Sequence, residues 1–237
     1  MDYLYAEKDD FSFLASGNVI KHFSGMPCFP VRLNLELFER ARHAVGKERI
    51  SVYDPCCGSG FSLTVLGLMR RDRIEWLRGS DIDPACLEAA GCNTSLLTRE
   101  GLFAARDAVL GGEFATPERK AQMNESVEKL LPYMRGDAPD ADVFRHDILA
   151  AAPKLPGPAD YVFADIPYGI MTEWRSDSAV DPDPLQAFLM NVAPVLGKGG
   201  VLTVCGGKDL RVRSDAFRRL GRFSVGKRLV YMLQKTE

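Results

Sequence analysis

Short apolar runs alternate with longer amphipathic stretches along most of the chain. The apolar runs lie at 50–53, 76–81, 161–165 and 201–205, each bounded by turn-forming residues. Amphipathic stretches of helical period lie between and around them, at 33–45, 62–70, 84–97, 184–196 and 214–220. This alternation predicts an α/β fold, with a mainly parallel sheet covered by helices on both faces. The β-rich segment 223–235 predicts a final strand or hairpin.

The segment 98–144 interrupts this alternation, because a short connection and a strand would suffice there. Its content of Ala, Glu, Arg, Lys and Leu predicts helices at 100–110 and 117–133, parted by Gly111-Gly112. A structureless loop of this length would be unusual inside a compact domain. We therefore expect a helical insertion within a single domain that spans 1–237.

The composition is that of a globular protein, with 46% apolar and 26% charged residues in 237. No apolar run approaches the roughly 20 residues that cross a bilayer. The acidic N-terminus lacks the basic start and apolar stretch of a signal peptide, so we expect a cytoplasmic protein without membrane contact. The six cysteines form no Cys-x-x-Cys pair and there are only three histidines, which indicates reduced thiols and no metal. The sequence does not fix the oligomeric state; a monomer is the simplest expectation.

Positive charge collects at the C-terminal end, although the net charge is only −2. The segment 198–237 holds ten Lys or Arg against three Asp or Glu, so the remainder carries −9. This distribution indicates an acidic body with one basic end that could contact phosphate. An equally good interpretation is that the cationic residues only solvate a helix and hairpin. The candidates for RNA phosphate contact are Lys208, Arg211, Arg213, Arg218, Arg219 and Arg222.

A glycine turn, Asp-Pro-Cys-Cys-Gly-Ser-Gly at 54–60, directly follows the first strand. Its glycines lack the Cβ atoms that would block a ligand, and its amides open the next helix, which predicts a nucleotide-type cofactor site. The candidate ligands here are Asp54, Cys56, Cys57, Gly58 and Gly60. Leu63 stands where a dinucleotide fingerprint has its third glycine, which disfavours a nicotinamide-dependent oxidoreductase. A plain tight turn between strand and helix is the structural alternative.

Two further acidic residues are candidate cofactor ligands. Asp81 ends the second strand, where one carboxylate can bind both ribose hydroxyls, with Ile82 packing against adenine. Asp147 follows the insertion and can accept the exocyclic amine of adenine, with Ile148 beside the ring. A solvated loop aspartate is an equally good interpretation of Asp147 by itself.

The motif Asp165-Ile166-Pro167-Tyr168 carries the hypothesis about the reaction. The Asp165 carboxylate and the Ile166 carbonyl can accept hydrogen bonds from a flat base and stabilise positive charge on its reacting nitrogen. Pro167 stiffens the turn, and Tyr168 offers a face on which an unstacked base can lie. The predicted catalytic residues are Asp165, Pro167 and Tyr168.

Several of these segments together resemble one known family, the avilamycin-resistance 23S rRNA guanine methyltransferases (AviRa family). The resemblance rests on the glycine turn with Leu-Thr-Val-Leu-Gly at 63–67, Phe-Pro-Val-Arg-Leu at 29–33, Ser80-Asp81-x-Asp83-Pro84 and Asp165-x-Pro167-Tyr168-Gly169. It implies a class I Rossmann-like fold with a seven-stranded sheet, and S-adenosylmethionine as cofactor.

The resemblance also implies a substrate and a role. The substrate is a guanine nitrogen, N1 favoured and N2 possible, in 23S rRNA or the large ribosomal subunit. The role is antibiotic resistance or routine rRNA maturation. A methyltransferase acting on an amine of DNA, protein or a small molecule is the first alternative. A noncatalytic RNA-binding module with the same fold is the second.

Overall fold

The strands and helices follow the predicted alternation. The computed structural model describes residues 1–15, 19–21, 28–167, 174–177 and 183–236. The strands in these ranges are β1 (Ile50–Asp54), β2 (Ile74–Asp81), β3 (Asp140–Arg145), β4 (Ala159–Asp165), β5 (Leu196–Gly206), β6 (Phe217–Val225) and β7 (Arg228–Lys235). The helices there are α1 (Ser12–Ala15), α2 (Val31–Val45), α3 (Phe61–Met69), α4 (Pro84–Ser95), α5 (Arg99–Leu110), α6 (Pro117–Leu130) and α7 (Pro184–Val192). Short 3₁₀ turns lie at Arg71–Arg73, Leu131–Tyr133 and Ala193–Val195.

The seven strands of the described ranges form one sheet in the order β3-β2-β1-β4-β5-β7-β6. Strands β1 to β5 pair in parallel, whereas β7 is antiparallel to both β5 and β6. The sheet is therefore mixed, with one reversed strand, and the predicted α/β class with a mainly parallel sheet is confirmed. The sheet also continues beyond the four strands that the apolar pattern identified.

The C-terminal region corrects one prediction. The stretch 214–220 was expected to be helical, but β6 begins at Phe217 and pairs along its length with β7. This strand carries three arginines, at 218, 219 and 222, and buries only Phe217 fully, so its apolar pattern is weak. Hairpin pairing with the buried β7 overrides the local preference. The predicted terminal hairpin is confirmed, with an earlier start than expected.

The sheet is buried on both faces. Successive side chains of a strand point to opposite faces, so each strand contributes to two cores. On one face, Ile50 and Val52 of β1 pack in a core with α2 and α3. On the other, Tyr53 of β1 and Val162 of β4 pack in a second core with α7. Because β1 to β5 run in the same direction, they end at the same edge of the sheet, and the residues that follow them lie at that edge.

The segment 98–144 contains the two expected helices, α5 and α6, which contact each other. Thr98 and Thr116 cap them, accepting hydrogen bonds from Gly101 and Arg119 respectively. The end of the segment forms β3, an edge strand whose polar sequence gives little strand signal. Among the described helices, none combines the length and the apolar character needed to cross a membrane.

Candidate functional site

Four aspartates lie at the edge where the parallel strands end. Asp54 ends β1, Asp81 ends β2, Asp165 ends β4, and Asp147 follows β3 by two residues. The strand order places them in the sequence Asp147, Asp81, Asp54, Asp165 across the sheet. Adjacent strands are about 4.8 Å apart, so residues separated by 111 positions in the chain share one site. Each of these four aspartates was singled out from the sequence.

The glycine turn is fixed by main-chain hydrogen bonds. The Cys57 N–H donates to the Ser80 carbonyl at 2.9 Å, and the Gly60 N–H donates to the Cys57 carbonyl at 2.8 Å. Gly58 and Gly60 have φ of +53° and +70°, which disfavours any residue with a Cβ. A Cβ at Gly60 would also lie 3.1 Å from that of Ala90. At Gly58 a Cβ would meet no described atom within 4 Å, so the turn is open on that side.

Asp54 and the two cysteines support the turn from inside. The buried Asp54 carboxylate accepts the Cys56 N–H at 3.1 Å. Burial raises the pKa of Asp54 well above its usual range, and the nearby charges of Asp81 and Asp165 raise it further. Burial likewise raises the pKa of the Cys56 and Cys57 thiols, so both are neutral groups that shape the turn.

Asp81 connects the second strand to the glycine turn. Its Oδ2 accepts the Gly58 N–H at 2.9 Å, and its Oδ1 accepts the Asp83 N–H at 3.0 Å. Burial raises its pKa, although these hydrogen bonds oppose the shift. A carboxylate has about four acceptor positions, so capacity remains for two hydroxyls of a ligand. Ile82 beside it is half-buried, and Asp83 caps α4 through the Ala85 N–H, as the sequence predicted.

Asp147 accepts three hydrogen bonds. The Ser176 hydroxyl donates at 2.6 Å, the Asp177 N–H at 2.9 Å and the Leu149 N–H at 3.0 Å. Burial would raise the pKa of Asp147, but these bonds outweigh it and lower the pKa. It is therefore an ionised, held carboxylate and not a freely solvated loop residue. Ile148, next in the chain, is buried.

The segment 174–177 spans the ends of two strands, which the sequence did not predict. Arg175 forms a 3.2 Å ion pair with Asp83, two residues after β2, while Ser176 contacts Asp147, two residues after β3. Asp177 also pairs with Arg145 at the end of β3. The chain that follows the Asp-Ile-Pro-Tyr motif thus returns across the edge where Asp81 and Asp147 lie.

Asp165 occupies the β4 end of the site. Its Oδ2 lies 3.7 Å from Nη2 of Arg228, and its buried Oδ1 has no hydrogen-bond partner among the described residues. Burial raises the pKa of Asp165 to about 6, although the charge of Arg228 opposes the shift. The Ile166 N–H donates to the Cys205 carbonyl at 2.9 Å and so fixes the turn after β4. Pro167 is half-buried, and Tyr168 lies outside the described residues.

Asn93 supports the site in a way that the sequence left undecided. Its buried side-chain amide donates to the Lys21 and Ser59 carbonyls, both at 2.8 Å, and accepts the Lys21 N–H at 2.7 Å. It therefore ties an N-terminal segment to the glycine turn. The only sequence signal for this role was a polar amide at a position on α4 that faces the protein interior.

The six predicted phosphate contacts are all exposed, but strand register separates them. Lys208, Arg211 and Arg213 follow β5 at the site edge. Arg222 is level with Ala164, one residue before Asp165. Arg218 and Arg219 are level with Tyr161 and Val162, about 10 to 13 Å further down the sheet.

One further basic residue lies at the site edge, and the site edge shows no group of metal ligands among the described residues. Lys227, in the turn between β6 and β7, is exposed at this edge and was not among the predicted contacts. Within the described residues, no three His, Cys, Asp or Glu side chains are grouped as metal ligands.

Comparison with known proteins gives a match over nearly the whole chain. A family model described as rRNA methyltransferase AviRa matches residues 1–228. A relative from Streptomyces viridochromogenes, named 23S rRNA (guanine(2535)-N(1))-methyltransferase, is 34% identical over 98% of this chain and 94% of its own length.

A solved structure of the same family also matches nearly the whole chain. The rRNA methyltransferase AviRa from Streptomyces viridochromogenes has a TM-score of 0.82 and 30% identity, covering 99% of this chain and 96% of that one. The Thermus thermophilus 16S rRNA N2 G1207 methyltransferase RsmC, in complex with AdoMet and guanosine, has a TM-score of 0.52 and 20% identity. That match covers 90% of this chain and 45% of RsmC, and it shows the shared fold alone. On the whole-chain family match and the identity of its relative, the chain belongs to the AviRa family of rRNA methyltransferases.

Proposed function

We propose that this enzyme transfers a methyl group from S-adenosylmethionine to a guanine nitrogen of 23S rRNA, with N1 the favoured acceptor and N2 possible. The observation that carries the proposal is the row Asp147, Asp81, Asp54, Asp165 across one sheet edge. Asp54 and Asp81 contact the glycine turn, Asp147 lies one strand beyond Asp81, and Asp165 lies one strand away on the other side of Asp54. A cofactor and a base would thus occupy adjoining parts of the same edge. The named activity of the Streptomyces viridochromogenes relative supports the same substrate.

The residues of the glycine turn fit S-adenosylmethionine. The open side at Gly58 provides room for the ligand, and the unused acceptor positions of Asp81 suit two ribose hydroxyls. Asp147 has an acceptor position left for the adenine amine, beside the buried Ile148. When bound, the cofactor supplies an electrophilic methyl group on a cationic sulfonium. The surrounding acidic side chains favour that positive charge.

Asp165 would contact the base. Neutral guanine carries a proton on N1, and this proton must leave before the nitrogen has a lone pair to share. A carboxylate whose pKa is raised to about 6 remains largely ionised at neutral pH and is a better proton acceptor than an ordinary aspartate. The unpartnered Oδ1 provides an acceptor for an N–H of the base. Pro167 and Tyr168 keep their proposed roles of stiffening the turn and stacking the base.

The basic residues nearest this edge would hold the RNA backbone. Lys208, Arg211, Arg213 and Arg222 are exposed near the end of β5 or level with it, and Lys227 joins them from the β6–β7 turn. Arg218 and Arg219 are further from Asp165 and would meet only a more extended RNA. Since N1 is engaged in pairing within a duplex, the target guanine must be unpaired or flipped out. We expect the protein to act in the cytoplasm, as a monomer, on 23S rRNA or the large subunit.

Labelled methyl transfer to unmodified 23S rRNA, followed by primer extension, tests this function. A single strong stop at a guanine would support N1, because an N1 methyl group blocks pairing. Label in RNA without a strong stop would favour N2. If naked rRNA and large subunits both stay unlabelled while DNA, protein or a small molecule is methylated, the RNA substrate is wrong. Asp165→Ala serves as the control, since it should abolish transfer and spare RNA binding.

A further inference from the structure

We propose that Arg228 reads the O6 atom of the target guanine and that, together with Asp165, it selects guanine over adenine. The inference rests on the proposed function, because it requires Asp165 to meet the base. The two side chains come from different strands and are 63 positions apart in the chain. Together they form a donor and an acceptor at the end of the sheet.

Strand register brings Arg228 to this place. Asp165 of β4 is opposite Cys205 of β5, and the next residue of β5, Gly206, is opposite Leu229 of β7. Arg228 is the first residue of β7 and therefore lies at the same edge as Asp165. The β6–β7 turn, which carries the exposed Lys227, adjoins it.

The contacts of Arg228 leave it poised for a ligand. Its Nη2 lies 3.7 Å from Asp165 Oδ2, which is an ion pair but too long for a hydrogen bond. Its buried Nε has no acceptor among the described residues, and neither does Asp165 Oδ1 have a donor. The guanidinium lies over the ring of Phe29, 5.4 Å from its centroid, and the side chain is 16% exposed. Buried polar groups are rarely left without partners, so one donor and one acceptor in the same place indicate a ligand with the opposite pattern.

The pairing edge of guanine has that pattern. It presents O6 as an acceptor next to N1–H and N2–H as donors, whereas adenine presents an N6 amine, a donor, at the position of O6. An arginine facing O6 would gain a hydrogen bond from guanine and would oppose the amine of adenine. Arginine is suited to this task because its planar fork stays charged and donates in fixed directions.

Arg228 would also stabilise the base as it loses its proton. The N1–H bond breaks with its electron pair remaining on N1, and the proton forms an O–H bond with the Asp165 carboxylate. The negative charge on the base is shared between N1 and O6. A guanidinium directed at O6 stabilises that charge without reorganising.

The experiment measures binding without turnover. RNA fragments carry the mapped guanine, or 6-thioguanine or inosine in its place, and are titrated with S-adenosylhomocysteine present. Sulfur is a weak acceptor at position 6, whereas inosine keeps O6 and N1–H and lacks only the 2-amino group. The wild-type protein should bind the 6-thioguanine RNA about tenfold more weakly than the guanine RNA, the loss of one charge-assisted hydrogen bond. Arg228→Gln should bind these two RNAs with equal affinity. Its affinity for inosine RNA should fall by the same factor as its affinity for guanine RNA.

Controls separate this role from a structural one. Arg73→Gln, at a half-buried arginine that pairs with Asp72 near the opposite edge of the sheet, should keep the wild-type ratio. If Arg228 merely positions Asp165, Arg228→Gln should lower the affinity for all three RNAs and leave the ratio between guanine and 6-thioguanine RNA unchanged. That result would overturn the proposal. Should Arg228→Gln not fold, Arg228→Met carries the same test, since its unbranched side chain has no N–H donor for O6. If the wild type methylates the guanine RNA yet shows no such ratio, only the Arg228 assignment fails. If it methylates no guanine, the proposed function fails with it.

Discussion

The backbone N–H of Gly58 donates a 2.9 Å hydrogen bond to the Asp81 carboxylate, so the glycine turn and the acid at the end of β2 form one unit. The φ of +53° at Gly58 directs the chain through a turn that other residues rarely adopt. Asp81 thereby has two tasks. It holds the turn, and its remaining acceptor positions are available to a ribose.

Asp81→Ala should therefore weaken S-adenosylmethionine binding by about 10- to 100-fold, since charge-assisted hydrogen bonds are lost and the turn loses its anchor. Asp81→Asn keeps an acceptor for Gly58 and should cause a smaller loss. Isothermal titration with S-adenosylmethionine and S-adenosylhomocysteine measures both. Asp72→Ala, at an exposed aspartate near the opposite edge, is the matched control. Equal affinity of Asp81→Ala and the wild type would remove Asp81 from the cofactor site.

Asn93→Ala should loosen the N-terminal segment over the glycine turn. It leaves the Lys21 N–H and the Lys21 and Ser59 carbonyls without their partner, which should lower the free energy of unfolding by about 2 to 3 kcal/mol. The Lys21 amide should also exchange its hydrogen faster. Urea unfolding and hydrogen exchange provide the two measurements. Ser95→Ala, an exposed change on the same helix, should leave both near wild type, and unaltered Lys21 exchange in Asn93→Ala would contradict the assignment.

The sequence predicted much of this site because its residues follow strands. A residue that directly follows a parallel strand lies at one edge whatever the loops do, so Asp54, Asp81 and Asp165 could be placed together. The same reasoning could not find Arg228, because it begins a strand. Only the reversed direction of β7 brings the start of that strand to the edge where the others end.

The failures at β3 and β6 have a similar cause. Both are strands at the two ends of the sheet, each with a neighbour on one side, and their exposed polar residues give little periodic signal. Pairing with the buried β2 and β7 determines their structure. The role of Asn93 was equally hidden, since its partners Lys21 and Ser59 are 72 and 34 residues away.

The methylation rate should depend on the ionisation of Asp165. Burial raises its pKa from 3.8 to about 6, so single-turnover rates should fall as the pH drops through about 6. Arg228→Gln should move this fall to higher pH, because the charge of Arg228 holds the pKa down. The same shift means that the folded protein binds this proton more tightly than the unfolded chain. Its contribution to stability therefore declines as the pH rises from about 4 through about 6.

Rates measured between pH 5 and 8, at saturating cofactor and RNA, check this dependence. The Arg73→Gln variant should follow the wild-type profile, because its charge lies at the far edge of the sheet. A flat profile across pH 5 to 8 would show that Asp165 does not accept a proton in the measured step.

The position of the basic residues predicts an unequal effect of two matched charge reversals. Arg211→Glu with Arg213→Glu alters exposed residues that follow β5 at the site edge, whereas Arg218→Glu with Arg219→Glu alters exposed residues about 10 to 13 Å down the sheet. The first pair should weaken RNA binding strongly and reduce the slope of log K against log salt by about 1.5 to 2. The second pair should change the slope less, because its residues reach only RNA beyond the target. Titrations at several salt concentrations compare them, with S-adenosylmethionine affinity as the check on folding. Equal slopes for both pairs would mean that RNA covers the outer strand as fully as the site edge, and a larger effect from the second pair would place the RNA path along β6.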